Sequence, residues 1–131
     1  MMKLLLDTHI FLWFISGDKR LPKGMRESIC DLNNEVYLSV VSLWEAIVKY
    51  QLGKLLLPQP PNTYLPIQRQ KHQIVILSLD EASVSQLANL PKIHRDPFDR
   101  MLICQAIEHN LTIVTVDKAL CAYSVPILNR A

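Results

Sequence analysis

The chain has 131 residues, half hydrophobic and a fifth charged, which excludes a disordered chain and suits one domain, 1–131, with a real core. Its longest apolar runs, such as IFLWFI, are far too short to cross a bilayer, and three cysteines without CxxC spacing indicate neither a disulfide framework nor a zinc site. Fourteen Lys and Arg against 12 Asp and Glu leave a net charge of +2, which by itself names no partner.

The opening MMKLLLDTHIFLWFI has the lysine and apolar residues of a signal peptide, but Asp7 and His9 interrupt it and no small-residue cleavage site follows. It reads instead as an internal strand, KLLL (3–6), and a helix, THIFLWFIS, so the protein is expected to be cytoplasmic. LPKGMRESICDLNN (21–34) predicts a second helix and VYLSV (36–40) a second strand. SLWEAIVKYQLGK (42–54) predicts a strong helix, with Ser42 as N-cap, Gly53 as stop signal, and Leu43, Trp44, Ile47 and Val48 as its apolar stripe. The four prolines of LLLPQPPNTYLP predict a turn-rich connection, with a short helix through IQRQKH after it. IVILSL (74–79) is a third strand and DEASVSQLANL (80–90) a helix. PFDRMLICQAIEHN (97–110) is a helix with proline at its first position and Asp96 as N-cap. LTIVTV (111–116) is a fourth strand that Asp117 ends, a short helix follows, and VPIL is a last edge strand. This alternation predicts an α/β fold with a mainly parallel sheet.

The carboxylates fall at telling places. Asp7 directly follows the first strand and Asp117 the fourth, and ligand sites in open parallel sheets form beyond the carboxyl ends of strands. Glu45 lies one turn into the helix after strand two, and Asp99 in the first turn of the helix before strand four. Each has a plain alternative: Asp7 as a helix cap, Glu45 in a surface pair with Lys49, Asp117 as a turn opener, Asp99 in a salt bridge with Arg95 or Arg100. Asp96 is well explained as a cap. Asp99 resists the plain reading best, because its helix is apolar on nearly every side and therefore buried. Acids brought together would repel unless a hard cation such as Mg²⁺ or Mn²⁺ joined them. Setting Asp7, Glu45, Asp96, Asp99 and Asp117 into one pocket leaves seven acids facing fourteen bases elsewhere, a surround suited to a polyanion. Trp13 and Trp44 sit at helical core positions and read as packing, while His9 and His94 stand close enough to acids to touch substrate, and neither is assigned as a general base.

The four segments LLLDTH, SVVSLWEAIVK, HRDPFDRMLICQA and LTIVTVD, in this order and spacing, resemble the PIN-domain family, specifically its VapC-type toxins. The resemblance runs the full length and implies a three-layer α/β fold, a central mainly parallel sheet flanked by helices. It implies a Mg²⁺- or Mn²⁺-dependent endoribonuclease that hydrolyses RNA to 5′-phosphate and 3′-hydroxyl ends. A homodimer, neutralised by a cognate antitoxin protein, is implied as well. Position by position, the family's acids fall on Asp7, Glu45, Asp99 and Asp117. Asp96 is an additional acid that can reach metal through water, and Thr8, Ser42, Arg100 and Thr115 would line the pocket or orient the acids. Two other readings compete. A receiver-like signalling domain would want an acidic pair after strand one, where LLLDTH has a single acid. A non-catalytic PIN-like binding module would ordinarily have lost some of the acids.

Overall fold

Three consecutive leucines without polar alternation suit a strand buried on both faces. In the computed structural model, which describes residues 1–128, β1 (Lys3–Leu6) is the middle strand of a five-stranded parallel sheet ordered β3-β2-β1-β4-β5, and Leu4, Leu5 and Leu6 are wholly buried. The other strands are β2 (Glu35–Ser39), β3 (Val75–Leu77), β4 (Thr112–Val114) and β5 (Ile127–Leu128). Leu4 pairs with Val36 on one side and Thr112 on the other.

Among the described residues six α-helices connect the strands: α1 (Thr8–Ser16), α2 (Lys23–Cys30), α3 (Val40–Gln51), α4 (Pro61–Lys71), α5 (Glu81–Ser85) and α6 (Pro97–His109). Successive side chains of a strand point to opposite faces, and two cores follow from that. Leu4 and Leu6 pack with Phe11 and Phe14 of α1, Met25 of α2 and Leu65 of α4. Leu5 packs with Leu102, Ile103 and Ala106 of α6 and with Tyr123. The result is three layers, a parallel sheet with helices on both faces, as the family resemblance implies.

The chain runs outward from β1 to β2 to β3, then returns across the sheet to place β4 on the other side of β1. The strand order therefore reverses between β1 and β4, and at such a point the connections diverge and leave a crevice beyond the carboxyl ends. Asp7 and Asp117 stand at its two lips.

Several elements differ from the sequence expectation. α3 starts two residues earlier than expected: its cap is Ser39, whose hydroxyl accepts from the Val41 N–H, and Ser42 lies inside the helix, buried. The buried face of α3 is Val41, Ser42, Glu45 and Ala46, while Trp44 is 58% exposed. The polar residues turn inward because partners await them there, as shown below. α2 is shorter than expected, since Asp31 turns the chain by accepting from the Asn33 N–H. α4 begins inside the proline-rich stretch: Pro61 takes its first turn, where no N–H is needed, and Pro66 sits within it at the loss of one helical bond. The segment after β3 splits into α5, capped by Asp80, and a 3-10 turn, Gln86–Asn89. Cys104 is a buried core residue and none of the three cysteines forms a disulfide. Among the described residues no helix is long and apolar enough to cross a membrane.

Candidate functional site

Asp7 occupies the N-cap position of α1, yet its side chain makes no capping bond. It accepts instead from the Thr115 hydroxyl at 2.7 Å, across from the end of β1 to the end of β4. The same hydroxyl oxygen accepts from the Asp117 N–H at 3.0 Å, so one threonine ties the two lips of the crevice. Asp117 divides its oxygens: Oδ1 accepts from the Ala119 N–H at 2.9 Å, which is the turn role, and Oδ2 points towards His94 Nε2 at 3.4 Å.

Glu45 is only 1% exposed, so it does not lie on a solvated face. Its pairing with Lys49 exists, through Oε2, but Oε1 accepts from the Thr8 hydroxyl at 2.8 Å. Thr8 also lies 2.8 Å from the Ser42 hydroxyl, which joins α1 to α3 beneath the acids. Lys49 thereby balances one oxygen of Glu45, and Thr8 holds the other.

Asp99 is buried on the first turn of α6, and Asp96 caps that helix by accepting from the Phe98 N–H at 2.9 Å. Among the described residues neither arginine beside Asp99 pairs with it. Arg100 donates to the Pro91 carbonyl at 3.0 Å and reaches the Tyr123 hydroxyl at 3.4 Å. It stands outside the carboxylate network and braces the loop before α6. The neighbour of Asp99 is His94, whose Nε2 lies 3.0 Å away.

His94, which sequence reasoning set near the acids but not among their partners, is brought into contact with them by the fold. Its backbone N–H donates to the Tyr123 hydroxyl at 2.8 Å, and its Nε2 is shielded from solvent without an aligned hydrogen bond. Proximity to the acids in HRDPFD was a signal for His94. For Tyr123, near the other end of the chain, there was none. Gln105 of α6 was equally invisible: fully buried, it accepts from the Ser39 hydroxyl and donates to the Ser78 carbonyl at 3.2 Å, linking α6 to the start of α3.

Burial pushes the Asp7 carboxyl above its usual range, with Glu45 and Asp117 adding to the rise, while the Thr115 bond and His9 oppose it. Asp99 is pushed up to about 7, first by burial and then by Asp7, Asp96 and Glu45, against the opposing His94. Acids perturbed by one another in this way occupy one electrostatic site. The donor set fits a hard divalent cation. Ligating atoms of His94, Asp99 and Asp117 lie within 4.8 Å of one another, and carboxylate oxygens dominate around them. Asp7 and Glu45, coupled electrostatically to Asp99, complete the candidate set.

A family model described as the PIN domain matches residues 4–126. Ribonuclease VapC16 of Mycobacterium tuberculosis is 37% identical over 57 residues, 44% of this chain, and the match spans only 40% of that relative's length. Ribonuclease VapC22 of the same organism is 25% identical over 126 residues, 96% of this chain and 95% of that one. The crystal structure of VapBC2 from Rickettsia felis, bound to a DNA fragment from their promoter, aligns with a TM-score of 0.74 at 18% identity. It covers 97% of this chain and 98% of that one, a likeness of fold.

Proposed function

The chain belongs to the PIN domain family, and from that premise we propose that it is a Mg²⁺- or Mn²⁺-dependent endoribonuclease, the toxin of a type II toxin–antitoxin pair. The observation that carries the reading is the gathering of carboxylates at the crevice where the strand order reverses, close enough that Glu45 and Asp117 push up the Asp7 carboxyl and Asp7 and Glu45 push up that of Asp99. Asp7, Asp99 and Asp117 would hold the cation, with Glu45 beside them and Asp96 in reach through water. Such an ion makes water a stronger nucleophile and stabilises charge growing on a phosphoryl oxygen.

The chain's own residues do the rest. Thr115 holds the Asp7 carboxylate across the crevice, and Thr8 with Ser42 holds that of Glu45. Lys49 offsets part of the negative charge. Hydrolysis forms a bond from a water oxygen to phosphorus and breaks the bond to the 3′ oxygen, which takes a proton and leaves as a hydroxyl. The 5′ side keeps the phosphate. A cleft lined by Lys92, His94, Arg95 and Arg100 adjoins Asp99 and suits the RNA backbone.

The names of the relatives support the ribonuclease activity, and the Rickettsia felis complex supports an antitoxin partner. We place the protein in the cytoplasm as a homodimer whose site a cognate antitoxin blocks. Incubation of purified protein with RNA tests the mechanism: cleavage stops with EDTA, returns with Mg²⁺ or Mn²⁺, and is lost in Asp7→Asn and Asp99→Asn. Undiminished cleavage in EDTA, with contaminating nuclease excluded, overturns it.

A further inference from the structure

Trp44 stands on α3 immediately before the buried Glu45 and is 58% exposed. An indole so open to water is not filling a core. It is nevertheless braced, because Phe98 meets it at 87° with ring centroids 4.9 Å apart, the edge-to-face arrangement aromatic pairs prefer. Phe98 itself packs on the core under α6 and immediately precedes Asp99. Each of the two helices that carry a buried acid of the site therefore sets an aromatic ring one residue before that acid. A T-shaped partner covers at most one face of the indole, and the exposure leaves the other face open.

The opposite flank of the acids is basic. Successive helical residues turn by about 100°, so Asp99 lies between Phe98 and Arg100 on the first turn of α6. Arg100 lines the surface cleft of about 390 Å³ that it shares with Lys92, His94 and Arg95. An aromatic face on one side of the acids and a basic cleft on the other match the two chemistries of an unpaired polynucleotide, stacking bases and a charged backbone.

We propose that Trp44, held by Phe98, is a stacking platform for an unpaired nucleobase beside the scissile phosphate. This rests on the ribonuclease reading and adds to it a residue, Trp44, that receives a base of the unpaired strand. In a duplex both faces of each base are already stacked, so the platform has nothing to receive. Every base has a π-face, so Trp44 selects strand form and leaves base identity to other contacts.

The chain has two tryptophans, and the other, Trp13, lies under the Arg20 guanidinium. Trp13→Phe therefore leaves Trp44 as the sole indole reporter. In a Trp13→Phe, Asp117→Asn protein, a single-stranded RNA oligonucleotide should quench indole fluorescence and its duplex should not. In the otherwise native protein, Trp44→Ala should raise KM for single-stranded RNA by roughly 10-fold or more, with kcat little changed, and Trp44→Phe should fall between. Circular dichroism melts of both variants establish that they are folded.

Three outcomes would overturn the proposal. If labelled oligonucleotide binds by anisotropy while indole emission stays constant and Trp44→Ala binds as tightly as wild type, Trp44 is outside the site and the ribonuclease reading stands. If Trp44→Ala turns a dimer into a monomer with RNA affinity per protomer unchanged, Trp44 belongs to an interface between copies of the chain. If wild-type protein neither binds nor cuts RNA, the ribonuclease reading fails and the platform with it.

Discussion

Thr115 touches no substrate in the proposed mechanism, yet it is the residue on which Asp7 and Asp117 both depend. Thr115→Val keeps its volume and removes the oxygen. It is expected to weaken Mn²⁺ binding by roughly 10- to 100-fold, the usual cost of losing a group that orients a metal ligand; isothermal titration calorimetry measures this. Unchanged affinity would mean that Asp7 is positioned by its backbone alone. The Asp99 carboxyl gives a pH signature. Its pKa of about 7 lies well above the usual carboxylate value. Between those two values the folded protein binds more protons than the unfolded chain. The associated stability is fully present at low pH and is lost as pH rises to about 7. In metal-free protein, Asp99→Asn should flatten that decline and melt higher than wild type at pH 8, by on the order of 1 kcal/mol. A variant that melts lower and keeps the wild-type Mg²⁺ response would make Asp99 a structural residue.

At the scale of elements, the start of α3 carries more than a cap. Ser39 accepts from the Val41 N–H and donates to Gln105 of α6, so one hydroxyl joins the two helices that bear Glu45 and Asp99. Ser39→Ala strands a helix N–H and a buried amide oxygen together and should cost about 2 kcal/mol in urea unfolding. Ser42→Ala, with no capping role, should cost less and act on cleavage through Glu45. The reverse order of stabilities would restore Ser42 as the cap. The misplacement had a local cause: both serines precede apolar helical residues, and nothing nearby distinguishes them. What does is Gln105, 66 residues further along. Asp96 was read correctly for the opposite reason, since its partner, the Phe98 N–H, is two residues away.

Across the whole molecule, the division of charge between an acidic crevice and a more basic remainder predicts how RNA is held. Affinity should fall steeply with added salt through release of counterions, and Asp117→Asn, which alters the crevice and none of the bases, should keep the same salt slope. A flat response in fluorescence anisotropy would mean that the basic residues do not meet the backbone. Excess Mg²⁺ should stabilise the wild type by mass action, about 2.7 kcal/mol at a hundredfold excess over Kd. Thermal melts with EDTA and with Mg²⁺ report it directly.

The sequence by itself determined whatever physics acts within a turn or a strand. The leucine run is a strand buried on both faces, proline and aspartate start α6, and acids stand just past the ends of β1 and β4. These follow from periodicity, fixed dihedral angles and capping, each local along the chain. Only the tertiary structure decided which faces are covered and which groups meet. It drew Glu45 inward and turned Trp44 outward, against the apolar stripe read along α3. It brought His94 to the acids and Tyr123 to His94, and it gave Arg100 the Pro91 carbonyl and the Tyr123 hydroxyl as partners in place of a carboxylate. Thr8 finds Glu45 across 37 residues and Thr115 finds Asp7 across 108. Burial of a polar side chain depends on its partner being there to meet it, and at such separations the strand order, not the neighbouring sequence, supplies the partner.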